Sequence, residues 1–367
     1  MDFKIAILPG DGIGPEVISE AVKVLKVIGK KFGHSFHLLY GDIGGGAIDK
    51  YSNPIPEETL TTIDNSDAIL FGAVGGPKWD DPEAKSRPED GILFLRKSLD
   101  LFANLRPIKV FKSLIDTSPI KSELLNGVDI IVVRELTGGL YFGSPKKRWI
   151  TSEERNAVDT LIYSEYEIKR ILKIGFELAL TRDKKLASID KANVLETGRL
   201  WRQIASEISK DYPGVELEHI LVDNASMQLI QNPSKFDVIV SENTFGDILT
   251  DEASVLSGSM GMIPSASLSF LNTDNKSKKI KTSLYEPIHG TAPDIAGKGI
   301  ANPIGMILSV ALMLNYSFGL QKESQEIYKA IETILSLGYR TKDIVLKGEK
   351  PISTTKMGDL ISDFLIQ

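Results

Sequence analysis

The chain has 367 residues, of which 42% are hydrophobic and 25% are charged, the proportions of a folded globular protein rather than a disordered one. A net charge of −6 with no block of like charge argues against nucleic-acid binding, which needs a basic stripe. The absence of cysteine excludes disulfides, thiolate metal sites and cysteine nucleophiles, and it fits a reducing compartment. No signal-peptide pattern opens the sequence, and its most apolar stretch, Ile304–Leu314, is too short to cross a membrane, so the cytoplasm is the expected location.

Apolar runs and helical spacings predict alternating strands and helices along the chain. The predicted strands are Phe3–Leu8, Ser35–Tyr40, Ala68–Val74, Val128–Arg134, Leu186–Asp190, Leu217–Val222 and Phe236–Val240. The predicted helices are Glu16–Lys31, Ser164–Thr181, Arg199–Asp211, Asn224–Gln231, Asp247–Leu256, Pro303–Tyr316 and Glu323–Leu337. Lys78–Asp90 is predicted to be a long surface loop, and Thr137–Ser144 an arm or hairpin. This alternation predicts an α/β protein with a largely parallel sheet, and any two domains would be interleaved because no linker separates them.

The turn Gly10–Pro15, with the sequence GDGIGP, lies between the first predicted strand and helix and invites comparison with a dinucleotide-binding loop. The fingerprint G-x-G-x-x-G does not fit, because Pro15 stands where the third glycine should be. We therefore expect a tight turn that begins a helix, and a fold other than the Rossmann fold.

Three arginines follow or end apolar stretches: Arg96, Arg106 and Arg134. Guanidinium groups bind carboxylates in a bidentate way and keep their charge when they are partly buried. Surface ion pairs are the alternative interpretation for each of them. Arg134 is the strongest candidate, since ligands of α/β sheets bind at the carboxyl ends of strands.

Asp247 and Asp251 are four residues apart, so on a helix they share one face, and Asp223 directly follows a predicted strand. Three carboxylates without cysteine or histidine favour a hard cation, Mg²⁺ or Mn²⁺. Acidic residues that complement a helix dipole are the open alternative.

Two further side chains are candidate acids or bases, although each is also compatible with a structural role. Lys191 lies at a strand end, and Tyr141 lies in a glycine-rich segment. His289 lies in the turn-rich segment Glu286–Asp294, which fits either a nucleotide-binding loop or an ordinary Pro/Gly loop.

Taken together, several segments resemble the isocitrate/isopropylmalate dehydrogenase family of decarboxylating β-hydroxyacid dehydrogenases over nearly the whole chain. The segments are Gly10–Glu16, Gly75–Trp79, Leu101–Pro107, Val133–Gly143, Asp190–Thr197, Phe245–Asp251 and Glu286–Pro303. The resemblance implies two interleaved α/β domains of the isopropylmalate dehydrogenase type. Residues 1–101 with 258–367 would form a cofactor-side domain, and residues 102–257 a domain for dimerisation and the metal site, with an arm near 137–150.

The resemblance also implies roles for individual residues. Arg96, Arg106 and Arg134 would bind the malate carboxylates, and Asp247 and Asp251 would bind Mg²⁺ or Mn²⁺ together with Asp223 of a second subunit, close to the substrate. Lys191, also from the second subunit, would help to deprotonate the substrate hydroxyl, and Tyr141 would protonate the enol after CO₂ leaves. The protein would thus be a homodimer with shared sites. The residues implied in NAD binding are Gly76, Glu89, Glu286, His289, Gly290, Thr291, Ala292, Pro293, Asp294, Ile295 and Asn302.

Substrate and cofactor follow from the same resemblance. Glu89 would repel the third carboxylate of isocitrate, and Ile92 with Leu93 would form an apolar wall for the alkyl group of 3-isopropylmalate, worth about 1–3 kcal/mol. Asp294, followed by Ile295, would accept a hydrogen bond from a ribose 2′-hydroxyl and repel a 2′-phosphate, which implies NAD rather than NADP. Two alternatives stay open: a Mg²⁺-dependent phosphoryl-transfer enzyme, although the P-loop motif is absent, and a non-catalytic regulatory paralogue.

Overall fold

The computed structural model describes residues 1–81, 83–270 and 282–366. Pro82, in the predicted surface loop, and residues 271–281 and 367, in the predicted cofactor-side domain, lie outside the described residues. The chain divides into two compact units, the first of residues 1–101, 109–126 and 254–367, the second of residues 102–108 and 127–253. The sequence-based boundaries differ from this division in that they assign 109–126 and 254–257 to the second domain.

The strands of the described residues are β1 (Asp2–Gly10), β2 (Ser35–Tyr40), β3 (Ala68–Ala73), β4 (Ala103–Lys109), β5 (Asp129–Glu135), β6 (Lys147–Ile150), β7 (Arg155–Val158), β8 (Lys185–Asp190), β9 (Glu216–Leu221), β10 (Val238–Ser241), β11 (Pro264–Leu268) and β12 (Ser283–Pro287). The α-helices are α1 (Gly14–Phe32), α2 (Gly45–Tyr51), α3 (Glu57–Asp64), α4 (Pro88–Ser98), α5 (Ser122–Leu125), α6 (Glu165–Leu180), α7 (Glu196–Ile208), α8 (Val222–Gln231), α9 (Asn243–Ser254), α10 (Ile304–Tyr316), α11 (Gln321–Ser336) and α12 (Thr354–Ile366). None of these helices has both the length and the apolarity that crossing a membrane requires.

In the first unit the strands lie in the order β2-β1-β3-β12-β11. The pairs β1–β2, β1–β3 and β3–β12 are parallel, and β11 is antiparallel to β12. Helix α10 packs against α1, α11 and the strands β11 and β12. Its residues Ile304 to Leu314 are all buried, which confirms the prediction of a core helix rather than a membrane span.

In the second unit the order is β4-β5-β10-β8-β9, with β5–β10, β10–β8 and β8–β9 parallel. Helix α6 packs on β5, β8 and β10. Its N-terminus has a capping box, in which the Ser164 side chain accepts from the backbone N–H of Glu167 and the Glu167 side chain accepts in return. The mostly parallel strands and intervening helices of both units confirm the predicted α/β class, and neither strand order is that of a Rossmann fold.

The structure contains elements that the sequence pattern did not reveal, among them β4, β11, β12, α4 and α12. The predicted loop Lys78–Asp90 ends early, because Pro88 begins α4 and Asp90 caps its N-terminus. The hairpin predicted near Thr137–Ser144 lies further along the chain, where β6 pairs with β7. Thr137–Ser144 contains only a short 3₁₀ turn, Gly139–Tyr141.

The GDGIGP turn is held by its own backbone and by Asp11. Its N–H groups at Asp11, Ile13 and Gly14 donate to backbone carbonyls of the same unit, at 2.7–3.0 Å. The buried carboxylate of Asp11 accepts from the N–H groups of Gly45, Gly46 and Gly75, at 2.7–3.0 Å. Because these donors are already used within the chain, the turn does not offer the free N–H cradle that phosphate binding needs.

Candidate functional site

In the second unit, several predicted site residues converge on the carboxylate of Asp247. Its Oδ1 forms a short hydrogen bond with Nη1 of Arg134 and lies 3.4 Å from Nη2 of Arg106. Its Oδ2 accepts a hydrogen bond of 3.1 Å from the hydroxyl of Tyr141. The structure therefore brings together two cations, a carboxylate and a phenol that the sequence analysis identified separately.

The two arginines are held rigidly by their surroundings. Arg106 lies on β4 and Arg134 near the end of β5, and both side chains are almost fully buried. The Nε of Arg106 donates to Asn104 at 2.7 Å, and the Nε and Nη2 of Arg134 donate to Asn243 at 3.0 and 2.8 Å. Buried guanidinium groups fixed in this way are suited to bidentate binding of a carboxylate, because little side-chain entropy is left to lose.

Tyr141 is about one-third exposed and lies in the 3₁₀ turn after β5. Partial burial raises the pKa of its phenol, and so do the negative charge and hydrogen bond of Asp247, while Arg134 opposes the shift. The hydroxyl therefore carries its proton at neutral pH, as a general acid must.

Asp251 lies one helical turn beyond Asp247 on α9, and its Oδ1 is 3.8 Å from Nη1 of Arg106. Burial raises the pKa of its carboxyl; Arg106 lowers it and the neighbouring charge of Asp247 raises it further. Asp247 and Asp251 are therefore adjacent and partly exposed, and the nearby arginines offset their mutual repulsion only in part. Such a pair of carboxylates fits the binding of a hard divalent cation. Among the described residues of one chain, no trio of acidic or histidine side chains forms a metal site, so Asp223 does not join this pair within the chain.

Lys191 and Asp223 form a separate pair in the second unit. The Nζ of Lys191, at the end of β8, donates to Oδ1 of Asp223 in the first turn of α8 at 2.6 Å, and this bond lowers the pKa of the Asp223 carboxyl. Both side chains are accessible to solvent. The preceding residue, Asp190, is buried and accepts two hydrogen bonds from Arg202, which fixes the strand end from which Lys191 projects.

In the first unit, the predicted substrate residues and two of the predicted cofactor residues, Glu89 and Glu286, lie on or beside α4. Nη2 of Arg96 pairs with Oε1 of Glu286 at 3.1 Å, and the buried Nε of Arg96 has no hydrogen-bond partner in the described part of the chain. Glu89, Leu93 and Arg96 follow helical spacing and share one face. Ile92 belongs instead to the hydrophobic core, so of the two predicted wall residues only Leu93 is partly exposed.

The predicted nucleotide-binding segment follows β12. Nδ1 of His289 lies 2.9 Å from the carbonyl oxygen of Gly290, and its Nε2 is buried without a hydrogen-bond partner among the described residues. Burial lowers the pKa of the ring, so the imidazole is neutral at physiological pH. A buried, unsatisfied ring nitrogen in a loop of small residues fits the binding of a polar heterocycle such as adenine.

The remaining predicted cofactor residues differ in exposure. Pro293, Asp294 and Gly290 are exposed, Ile295 and Ala292 are half-buried, and Ala292 has a positive φ of 38°. The other three lie at strand or loop ends: Gly76 after β3, Thr291, whose carbonyl accepts from Ile13, and Asn302, whose Nδ2 donates to Asp343 at 3.0 Å. Asp294 therefore presents its side chain to solvent on a loop whose backbone is tied to the first unit.

The sequence analysis does not identify Asn243, the residue that binds two nitrogens of Arg134. Its position is a signal, because Asn243 lies two residues after the end of the buried strand β10, whose residue Ser241 is paired with Arg134. Polar residues at neighbouring carboxyl ends of parallel strands are expected to meet.

Residues 4–361 match the family described as isocitrate/isopropylmalate dehydrogenase. The chain is 56% identical to a 3-isopropylmalate dehydrogenase of Dehalococcoides mccartyi, covering 100% of both chains. It is 55% identical to a 3-isopropylmalate dehydrogenase of Bacillus subtilis, covering 95% of this chain and 93% of the relative. A solved structure of isocitrate dehydrogenase from Methylococcus capsulatus is similar with a TM-score of 0.86 and 32% identity, covering 100% of each chain. The chain thus belongs to the isocitrate/isopropylmalate dehydrogenase family.

Proposed function

We propose that this protein catalyses the oxidative decarboxylation of (2R,3S)-3-isopropylmalate to 4-methyl-2-oxopentanoate with reduction of NAD⁺, a step of leucine biosynthesis. The observation that carries the proposal is the convergence of Arg106, Arg134 and Tyr141 on Asp247. The much higher identity to relatives named for isopropylmalate than to the isocitrate dehydrogenase structure supports this choice of substrate.

Three arginines are proposed to bind the malate skeleton. Arg106 and Arg134 are buried and are held in place by neutral side-chain amides, which leave the guanidinium charge intact, as well as by Asp247. Arg96 is proposed as the third, and this role is supported by its buried Nε, which has no hydrogen-bond partner in the part of the chain that the structure describes. Glu89 on the same helical face would disfavour the extra carboxylate of isocitrate by like-charge repulsion.

Asp247 and Asp251 are proposed to bind Mg²⁺ or Mn²⁺, with Asp223 of the partner subunit as a third carboxylate. Bound NAD⁺ would supply a hydride acceptor for C2 of the substrate, and a bound divalent cation would supply a Lewis acid for the C2 oxygen. Asp247 also orients the hydroxyl of Tyr141. The same carboxylate would thereby align the metal and the proton donor.

Lys191 and Tyr141 are proposed to move the protons. Lys191 would take the proton of the C2 hydroxyl as that carbon is oxidised, and Asp223, which contacts its Nζ at 2.6 Å, would orient it. Tyr141 would deliver a proton to C3 once the C3–CO₂ bond has broken, and its raised pKa keeps that proton available.

NAD⁺ is proposed to bind along the segment from Glu286 to Asn302, with Gly76 and Glu89 on the nicotinamide side. The exposed carboxylate of Asp294 suits a ribose with a free 2′-hydroxyl. A polar contact with the base is supported by the buried Nε2 of His289, which has no hydrogen-bond partner within residues 1–81, 83–270 and 282–366.

The first experiment measures NADH formation by its near-ultraviolet absorbance when the protein is mixed with 3-isopropylmalate, NAD⁺ and Mg²⁺. We expect turnover that stops when the metal is chelated and returns when Mg²⁺ or Mn²⁺ is added. Tyr141→Phe should bind substrate but turn it over at least about a hundredfold more slowly. No turnover by the unmodified protein would favour the non-catalytic paralogue instead.

The proposed homodimer with shared sites is tested by mixing two inactive variants. Lys191→Ala and Tyr141→Phe are unfolded together and refolded, so that mixed dimers form. If each site takes Lys191 from the partner, one site of a mixed dimer carries both substitutions and the other carries neither, and activity returns. If each chain builds its own site, every site carries one substitution and mixing restores nothing.

A further inference from the structure

Asn243, the first residue of α9, is completely buried, and its side-chain oxygen, side-chain nitrogen and backbone N–H all form hydrogen bonds. Its Oδ1 accepts from Nε and Nη2 of Arg134 at 3.0 and 2.8 Å, and its Nδ2 donates to the carbonyl oxygen of Gly138 at 3.1 Å. Its backbone N–H donates to the hydroxyl of Tyr163 at 3.0 Å. One side chain is therefore bonded both to a proposed substrate arginine and to the segment that leads to Tyr141.

The contact with Arg134 fixes the plane of the guanidinium without neutralising it. An amide oxygen is a neutral acceptor, so the pair Asn243–Arg134 keeps the full positive charge of the arginine. Gly246 packs against the same side chain, since a Cβ placed there would lie 2.9 Å from Cγ of Arg134. The arginine is thus restrained along its stem and at one edge of its fork, while Nη1 points to Asp247.

The contact with Gly138 fixes the start of the turn that carries Tyr141. The 3₁₀ turn begins at Gly139, which has a positive φ of 72° and packs directly on Tyr163. A Cβ at Gly139 would lie 2.6 Å from the hydroxyl of Tyr163, so the turn cannot shift toward this ring. The Asn243 amide holds the same segment through the carbonyl of Gly138, the residue immediately before the turn begins.

We infer that Asn243 is a positioning residue that sets the orientation of both the carboxylate-binding Arg134 and the proton-donating Tyr141. The inference rests on the proposed function, because it takes the roles of these two residues from it. Asn243 itself is not proposed to contact the substrate. Its effect on catalysis is transmitted through the arginine on one side and the turn on the other.

The test uses two substitutions at Asn243 and a matched control. Asn243→Asp keeps the size of the side chain but places a negative charge against Arg134 and removes the donor to Gly138. Asn243→Ser keeps a polar group that is too short to reach both partners. Ser188→Ala is the control: it removes the acceptor of the buried Trp201 indole N–H, a 3.0 Å bond in the same unit that involves neither Arg134 nor Tyr141.

We expect Asn243→Asp to raise the KM for 3-isopropylmalate and the calorimetric Kd for this dicarboxylate about 10- to 100-fold, because a misplaced or neutralised arginine binds carboxylates poorly. Both Asn243 variants should also lower kcat, and the KM for NAD⁺ should stay within about twofold of the unmodified value. The loss for 3-methylmalate should equal the loss for 3-isopropylmalate, since Arg134 contacts carboxylates and not the alkyl group. Ser188→Ala should lower the melting temperature with unchanged kcat and KM.

Variants of Asn243 that lose stability but keep kcat and substrate Kd within about twofold would overturn the inference, and so would an equal rise in the KM for NAD⁺. If Asn243→Asp does not fold, as judged by circular dichroism, the result for Asn243→Ser decides. If the unmodified protein does not turn over 3-isopropylmalate, the proposed function fails; the inference is then decided by the calorimetric Kd of malate, which should weaken in both Asn243 variants.

Discussion

Two buried carboxyl groups flank the hydroxyl of Tyr163, and together they allow a sharp prediction about stability. The hydroxyl lies 3.1 Å from Oε2 of Glu135 and 3.4 Å from Oε2 of Glu242, and it already accepts from the N–H of Asn243. A phenol has one hydrogen, so it cannot donate to both carboxyl groups. One of the two acids must therefore carry a proton if both contacts are to be favourable.

The surroundings indicate which acid it is. Glu135 accepts from the N–H and hydroxyl of Thr137 at 3.0 and 2.9 Å and from the N–H of Gly138 at 2.8 Å, and Arg170 lies 3.7 Å away. Glu242 accepts from the N–H of Phe245 at 2.7 Å and from the backbone of Thr244, and its Oε2 lies 3.4 Å from the hydroxyl oxygen of Tyr163. Burial raises the pKa of both carboxyl groups, and hydrogen bonds and a nearby arginine oppose this shift in both. Glu135 accepts from two backbone N–H groups and the Thr137 hydroxyl, whereas Glu242 accepts from two backbone N–H groups, so the charged form is favoured more strongly at Glu135. We expect Glu242 to be the protonated member.

Replacing each acid by glutamine separates the two cases, because glutamine has the shape of a protonated glutamate and adds donors. Glu242→Gln should change the free energy of unfolding by less than about 1 kcal/mol, since its amide can donate to Tyr163. Glu135→Gln should lower the free energy of unfolding by about 2–4 kcal/mol. The NH₂ of the glutamine would face two donors, so a buried backbone N–H would be left without an acceptor, which costs about 1–3 kcal/mol. The negative charge opposite Arg170 would also be lost.

Urea unfolding followed by circular dichroism at several pH values measures both effects. The folded pKa of Glu242 lies above its unfolded value, so the native protein loses stability from this group as pH rises through the folded pKa. Glu242→Gln has no such proton to lose, and its stability relative to the unmodified protein should therefore increase with pH over that window. Equal losses for the two variants, or a larger loss for Glu242→Gln, would refute the assignment.

Three further predictions concern packing, cofactor and substrate. Gly143→Ala should lower the melting temperature by several degrees, because its Cβ would lie 1.7 Å from a backbone carbonyl oxygen. Gly214→Ala is the control, and it should be neutral or slightly stabilising because the nearest atom to its Cβ would be 3.8 Å away. Thermal denaturation of the two variants measures the difference. The unmodified protein should prefer NAD⁺ to NADP⁺, and Asp294→Lys with Ile295→Tyr should abolish that preference; equal kcat/KM for both cofactors in the unmodified protein would contradict it. Isocitrate should be turned over far more slowly than 3-isopropylmalate, and Glu89→Ser should reduce this difference in rate. Comparable initial rates for the two substrates in the unmodified protein would contradict the proposed role of Glu89.

The sequence by itself determined the elements whose patterns are local. The strand Ser35–Tyr40 was predicted with its observed bounds, and the continuous apolar run in α10 predicted a core helix. Proline in place of the third glycine was enough to reject a dinucleotide-binding loop at Gly10–Pro15. Motif resemblance selected the family, because several long segments match it at once.

Other features depended on contacts between residues far apart in the chain. Strands β11 and β12 have no strong apolar alternation of their own. They are strands because β11 pairs with β12 and β12 pairs with β3. Ile92 was predicted to face substrate, but the helix α4, which the sequence pattern did not reveal, turns it into the core. The position of Asn243 just after a buried strand became informative only through the tertiary structure, because the pairing of β10 with β5 brings it beside Arg134. A local sequence pattern specifies which side of a helix or strand is apolar. The hydrogen-bond partner of each buried polar atom is decided by tertiary packing instead, because buried polar groups must find partners wherever the fold supplies them.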